Sequence, residues 1–123
     1  MSALTFYAHP KCSTCQKARE WLQRHGVKFT EKDIRVTPPT IAELRAMLAG
    51  ARQGGEVRRL GNTSGIEYRA VGLSAKLPTM SEAEALRLFA GNGMLVKRPF
   101  LIGPGVALIG FKEPDWLATL SRR

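Results

Sequence analysis

The chain has 123 residues, of which 44% are hydrophobic and 24% charged, a length that fits one domain and a composition able to bury roughly two-thirds of the unfolded surface. That balance excludes a disordered chain, and the longest apolar stretch, Phe100 to Phe111, is too short to span a bilayer and is broken by Gly103, Pro104 and Gly105. Nineteen Lys and Arg against ten Asp and Glu give a net charge of +9, but no basic run exceeds a pair (Arg58-Arg59, Lys97-Arg98, Arg122-Arg123) and aromatics are only 7%, which argues against direct nucleic-acid binding and leaves a basic surface with a diffuse attraction for anions.

The start of the chain carries no basic segment followed by a long apolar run, so a cytoplasmic protein is expected. Leu4 to Ala8 is rich in strand formers and stops at His9-Pro10, predicting a first strand. From Ser13 to His25 the apolar positions Cys15, Ala18, Trp21, Leu22 and His25 recur at helical spacing, and Gly26 follows as a stop. Val27 to Ile34 returns to strand composition, with Val27, Phe29 and Ile34 as candidate inward positions, and closes a β-α-β unit with a parallel strand pair.

After Thr37-Pro38-Pro39, the sequence Thr40-Ile41-Ala42-Glu43 has the form of a capping box ahead of a helix through about Leu48. The glycine- and arginine-rich stretch from Gly50 to Leu77 has weak periodicity, with short helical turns expected around Glu56 to Gly61 and Tyr68 to Leu73. A second capping box, Ser81 to Glu84, opens a helix that ends near Gly91. Pro99 to Ile102 and Val106 to Ile109 read as two strands buried on both faces, joined by the three-residue connection Gly103-Pro104-Gly105. Acid and proline at Glu113-Pro114-Asp115 start a closing helix whose apolar positions are Trp116, Leu117 and Leu120. The order predicts a single α/β domain over 1–123: a thioredoxin-like fold, with a small mixed sheet flanked by helices and an all-helical insert over about 37–93.

Cys12 and Cys15 are the only cysteines, spaced C-x-x-C between the first strand and the first turn of the first helix. The first amides of a helix lack internal partners and carry the positive end of its dipole, so a sulfur at that place is held preferentially as thiolate. Cys12, at the cap, is the expected nucleophile, and Cys15, one turn on, the expected resolving thiol. Half a zinc site, two buried structural thiols and a structural disulfide are the competing readings. Zinc has only His9 and His25 as further ligands, both poorly placed, so no metal is expected.

Lys97-Arg98-Pro99 comes just before the strand that approaches the C-x-x-C in this architecture, where a cation can pair with the thiolate or hold an anionic substrate. The candidate catalytic residues are therefore Cys12, Cys15 and Arg98. Lys11, Asn62, Arg98 and Pro99 are the candidates for substrate binding. Lys17 adds positive potential, and Asn62, Thr63, Ser64 and Tyr68 form either a polar cluster facing the site or a capped turn.

His9 through Arg19 and Leu95 through Ile102, together with Asn62 to Arg69 and Lys76-Leu77-Pro78, resemble the ArsC/Spx/YffB family over nearly the whole chain. The resemblance implies a thioredoxin-like fold with a helical insert, a redox cysteine at Cys12, a functional Arg98 and a cis peptide before Pro99. The family's arsenate reductases place Asn where this chain has His9 and Ser where it has Cys15, and of their three arginines only Arg98 has a plain match here. The expected function is a glutathione-linked thiol-disulfide oxidoreductase, with glutathione as co-substrate and no tightly bound cofactor. Two alternatives stay open. One is a glutathione- and glutaredoxin-dependent arsenate reductase acting on a small oxyanion; the other is an Spx-type redox-sensing regulator that binds RNA polymerase.

Overall fold

The computed structural model describes residues 3–50 and 56–121. Part of the Gly50–Leu77 stretch, the first two residues and the Arg122-Arg123 pair therefore lie outside the described residues. Strand β1 (Thr5–Ala8), helix α1 (Ser13–Arg24) and strand β2 (Thr30–Asp33) form the opening unit, with β1 and β2 parallel. Between β2 and β3 come α2 (Ile41–Gly50), the short helices α3 (Ile66–Ala70) and α4 (Leu73–Lys76), α5 (Glu82–Gly91), and single 3-10 turns at Val57–Leu60, Leu77–Thr79 and Gly93–Leu95. Strands β3 (Phe100–Gly103) and β4 (Val106–Ile109) form an antiparallel hairpin, and α6 (Glu113–Leu120) follows. The sheet order is β2-β1-β3-β4, and β3 runs antiparallel to β1.

Alternation along the strands separates two cores. Leu4, Phe6, Ala8, Leu101, Val106 and Leu108 point to one face, where Cys15, Ala18, Trp21 and Leu22 of α1 and Trp116 and Leu120 of α6 cover them. Tyr7, Phe100, Ile102 and Ile109 point to the other, against Leu44 and Met47 of α2, Leu86 and Phe89 of α5, and Tyr68 and Leu73 of the short helices. The fold class matches the thioredoxin-like expectation from element order. No helix among the described residues is long and apolar enough to cross a membrane.

Both capping boxes form. Glu43 N–H donates to Thr40 Oγ1 at 3.1 Å while the Glu43 carboxylate accepts from Thr40 N–H at 3.0 Å, and Ser81 and Glu84 repeat the exchange at 3.1 and 2.9 Å. Helix α2 runs on to Gly50, beyond the expected Leu48. Four other expectations need correction. Strand β2 is shorter than Val27 to Ile34: it is an exposed edge strand, and Val27 and Phe29 precede it as partly buried packing residues. The hairpin connection has two residues, because Gly103 pairs with Val106 and leaves Pro104 and Gly105 to turn, Gly105 at φ +73°. Leu117 is 53% exposed, because a one-sided helix of two turns presents only Trp116 and Leu120 to the sheet. His25 is exposed and caps α1, its ring stacked on Trp21 at 3.9 Å rather than entering the core.

Candidate active site

The register of the sheet brings the candidate residues to one end. Tyr7 pairs with Phe100 and Ala8 with Asp33, so the end of β1, the end of β2 and the start of β3 lie side by side. Continuing the antiparallel register beyond Tyr7 and Phe100 sets Pro99 opposite Ala8 and Arg98 opposite His9. The Arg98-Pro99 peptide is cis, Pro99 is buried at the start of an inner strand, and its carbonyl accepts the Gly110 N–H at 2.8 Å from β4's end.

Cys12 is the N-cap of α1. Its backbone is extended, at φ −88° and ψ 117°, its N–H donates to the His9 carbonyl at 3.1 Å, and its Sγ accepts the Cys15 N–H at 3.3 Å. The first turn of α1 contains no acidic side chain to oppose a negative sulfur there. Cys12 is half-buried, Cys15 is fully buried, and both are free thiols. Burial pushes the Cys15 thiol up to about 12, with the neighbouring Cys12 adding to the rise, against smaller opposition from the His9 backbone and the Arg98 charge. The two sulfurs therefore differ in kind: one lies at the surface end of a helix dipole, the other is a protonated thiol in the core.

His9 is held by geometry as well as by charge. Its Nδ1 accepts the Lys11 N–H at 3.0 Å, which leaves Nε2 to carry the proton of the neutral ring. Desolvation, and then the positive charges of Arg98, Arg35 and Lys11, hold its pKa below the ordinary imidazole value, with Asp33 opposing. Asp33 is itself held at about 2 by hydrogen bonds from Arg35, whose Nη2 lies 2.8 Å from its Oδ2. The Arg98 guanidinium, half-buried, donates from Nη1 to the carbonyls of Met94 and Val96, both at a long 3.4 Å. These bonds fold it against the chain leading into β3, and its charge is felt at both His9 and Cys15.

The remaining sequence candidates divide. Lys11 has an exposed side chain beside the motif. Asn62 sits in a short bridge to the chain before β3: Asn62 N–H donates to Leu95 O at 2.8 Å, Gly61 bridges Val96, and Lys97 N–H donates to Leu60 O at 2.7 Å. Asn62 to Gly65 is a turn, closed by Gly65 N–H to Asn62 O at 2.9 Å, whereas Tyr68 is a buried core residue. The turn forms, but no side-chain hydrogen bond caps the start of α3 at Gly65, and Asn62, Thr63 and Ser64 line a cleft together with Lys97. The Asp33-x-Arg35 pair beside the motif was not among the candidates. Its signal is positional, since the carboxyl ends of adjacent parallel strands converge on one crevice, and β2 ends at Asp33.

The model of the ArsC family matches residues 7–119. The uncharacterized protein YusI of Bacillus subtilis is 44% identical over 114 residues, covering 93% of this chain and 95% of that protein. The global transcriptional regulator Spx of Enterococcus faecalis is 33% identical over 112 residues, covering 91% of this chain and 82% of the regulator. Among solved structures, that of a possible arsenate reductase from Streptococcus mutans superposes with a TM-score of 0.83 at 39% identity, covering 94% of this chain and 98% of that one.

Proposed function

The chain belongs to the ArsC family, and from that premise we propose that it is a thiol-disulfide oxidoreductase working with glutathione, with Cys12 as the attacking sulfur. The observation that carries the reading is the cap geometry: Cys12 Sγ accepts a helix-terminal N–H while Cys15 lies protonated behind it. The Cys12 thiolate attacks one sulfur of a disulfide R–S–S–R′, the S–S bond breaks, and R′–S⁻ leaves and takes up a proton from solvent. A glutathione thiolate then attacks the R sulfur of the Cys12–S–S–R mixed disulfide and regenerates Cys12, so that the substrate disulfide and one glutathione thiol become the disulfide G–S–S–R and the thiol R′–SH. Cys15 offers a second route, by attacking Cys12 Sγ and expelling R–S⁻. Its raised proton affinity makes that route slower until the thiol is uncovered. In this reading Arg98 holds the thiolate or an anionic substrate, with Lys11 exposed beside the motif and Asn62 and Pro99 as the further candidates for substrate contact.

Replacing Cys12 by Ser is expected to abolish reduction of a glutathione mixed disulfide, whereas Cys15→Ser keeps turnover through the glutathione route. A Cys12→Ser variant as active as the parent overturns the reading. Alkylation separates the sulfurs as well: iodoacetamide at neutral pH labels Cys12 first and Cys15 only on unfolding.

Two finer readings have an observation each. Arg98 and the likeness to the Streptococcus mutans structure favour arsenate as the substrate, and turnover of arsenate with glutathione and glutaredoxin, lost in Cys12→Ser, is the result it requires. The likeness to Spx favours a regulator whose Cys12-Cys15 disulfide changes a partner-binding face. Capture of RNA polymerase that differs between oxidised and reduced protein is its required result, and no capture in either state removes it.

A further inference from the structure

The bridge between Leu60–Asn62 and Leu95–Lys97 forms one side of a cleft of about 460 Å³, walled by Arg58, Arg59 and Lys97 and by Asn62, Thr63 and Ser64. Its described walls thus present three cations, an amide and two hydroxyls, and no carboxylate. Glu56 engages Arg58 Nε at 2.8 Å and Arg59 Nε at 3.6 Å, but all three side chains are about half exposed or more, so these pairs are weak. Each guanidinium also keeps further N–H donors for a ligand. The end of the Lys97 side chain lies over Gly110, in space that a Cβ there would crowd. Such a lining suits a ligand with anionic oxygens, and the volume is that of a small-molecule site.

This cleft is joined to the thiol site through the chain. Lys97 precedes Arg98, whose charge reaches Cys15 and His9, and the same segment leads into the cis Arg98-Pro99 peptide. A tripeptide thiol of the glutathione type carries its sulfur on the middle residue and a carboxylate on each end, so anchoring its ends beside Lys97 leaves the sulfur free to reach along that segment. We propose that the Arg58–Arg59–Lys97 cleft binds the carboxylates of a glutathione-type peptide and so selects peptide thiols and their disulfides over uncharged small ones. The proposal rests on the thiol-exchange reading for its purpose, but not for its test.

S-methylglutathione has the carboxylates and no reactive thiol. By calorimetry it is expected to bind the full chain saturably, about tenfold more weakly to Arg59→Gln and to Lys97→Gln, and with most of the loss restored in Lys97→Arg. Raising the salt weakens binding to the parent more than to the variants. Glutathione diethyl ester binds no better to the parent than to the variants. In exchange assays, the preference of Cys12 for glutathione disulfide over 2-hydroxyethyl disulfide falls by a similar factor in both Gln variants. The proposal is overturned if S-methylglutathione does not bind the parent, if the Gln variants bind it equally well, or if inorganic phosphate displaces it at comparable concentration, which would make this an oxyanion site. If S-methylglutathione binds as expected and Cys12 exchanges with neither disulfide, the cleft stands and the oxidoreductase reading falls.

Discussion

On one face of the sheet, Trp21 of α1 and Trp116 of α6 pack edge to face with each other and with Phe111. On the other face, Leu44, Tyr68, Leu73, Phe89 and their neighbours come from many short pieces, several only a turn long, gathered between β2 and β3. The first face is built by regular elements adjacent in sequence to the strands they cover. The second is built by an insert that has little regularity to stabilise its pieces singly and holds together because each contributes a buried side chain to a shared cluster. The candidate site lies where the two meet: the C-x-x-C belongs to the aromatic face, while Arg98 and Lys97 arrive on the chain leaving the insert. The proposed chemistry at Cys12 would thus draw its sulfur from the first face and its cations from the second.

That division is tested most strongly by emptying each core in turn. Trp116 is 1% exposed and donates from Nε1 to the Gly110 carbonyl at 3.0 Å, and Phe89 is fully buried on the opposite face. Trp116→Ala and Phe89→Ala are each expected to cost about 3–5 kcal/mol in denaturant unfolding. They separate in reactivity measured well below the unfolding midpoint. Trp116→Ala loosens the helix layer beneath α1 and speeds alkylation of Cys15, whereas Phe89→Ala leaves that rate within about twofold of the parent. Equal acceleration in both variants would mean that the two cores open as one.

Gly93 sharpens the comparison from the insert side. A Cβ there would run into the backbone carbonyl of Ile34, at the end of the β2 connection, so the insert and the sheet approach each other as closely as backbone allows. Gly93→Ala is expected to destabilise by about 1–3 kcal/mol, since backbone rather than a flexible side chain must move. It should also raise the KM for glutathione through displacement of the Leu95–Lys97 segment. A thermal midpoint unchanged from the parent would show that the approach is looser than this.

The seat of the insert on the sheet is also polar. Tyr7, on the central strand, donates from its hydroxyl to Glu43 Oε1 at 2.6 Å, and the same carboxylate oxygen caps α2 through Thr40. Burial and then the Glu43 hydrogen bond raise the Tyr7 pKa well above its usual value. Tyr7→Phe removes this bond while keeping the ring against Phe100, 5.7 Å away, and is expected to cost about 1–2 kcal/mol. Glu43→Ala removes the cap as well and should cost more. A Tyr7→Phe protein as stable as the parent would assign that seat to packing alone.

The two faces were unequally legible in the sequence. Cys15, Ala18, Trp21 and Leu22 stand at helical spacing because α1 buries a single stripe, and the capping residues at Thr40 and Ser81 mark helix starts by chemistry that acts over four residues. Cys12 at the N-cap and Arg98 before Pro99 follow from the same local logic. The turns between Gly61 and Met80 have no period to read, since a one-turn helix buries one residue, as Tyr68 or Leu73, and its neighbours carry no pattern. The His9-Lys11 and Asp33-Arg35 bonds are each local, but their meeting beside the motif depends on strand register, and the gathering of Arg58 and Arg59 with Lys97 depends on a bridge across the insert. No spacing along the chain encodes these.

The smallest effect concerns Cys15 and the pH dependence of folding. Its thiol titrates near 9 when exposed and is pushed up to about 12 by burial in the fold. A group whose proton affinity rises on folding stabilises the native state fully below its unfolded pKa, and loses that contribution as pH climbs toward the folded value. The window is therefore pH 9 to 12, and between pH 8 and 10 the loss attributable to Cys15 is about 1 kcal/mol. Tyr7 adds to the loss in the same direction above its own unfolded value. Urea unfolding of the parent and of Cys15→Ala across this range isolates the thiol, because the alanine variant, though less stable at pH 8, should lose less on going to pH 10. Curves that fall in parallel would mean that Cys15 keeps its ordinary acidity in the fold and meets solvent, and Cys15 would then be as open to alkylation as Cys12.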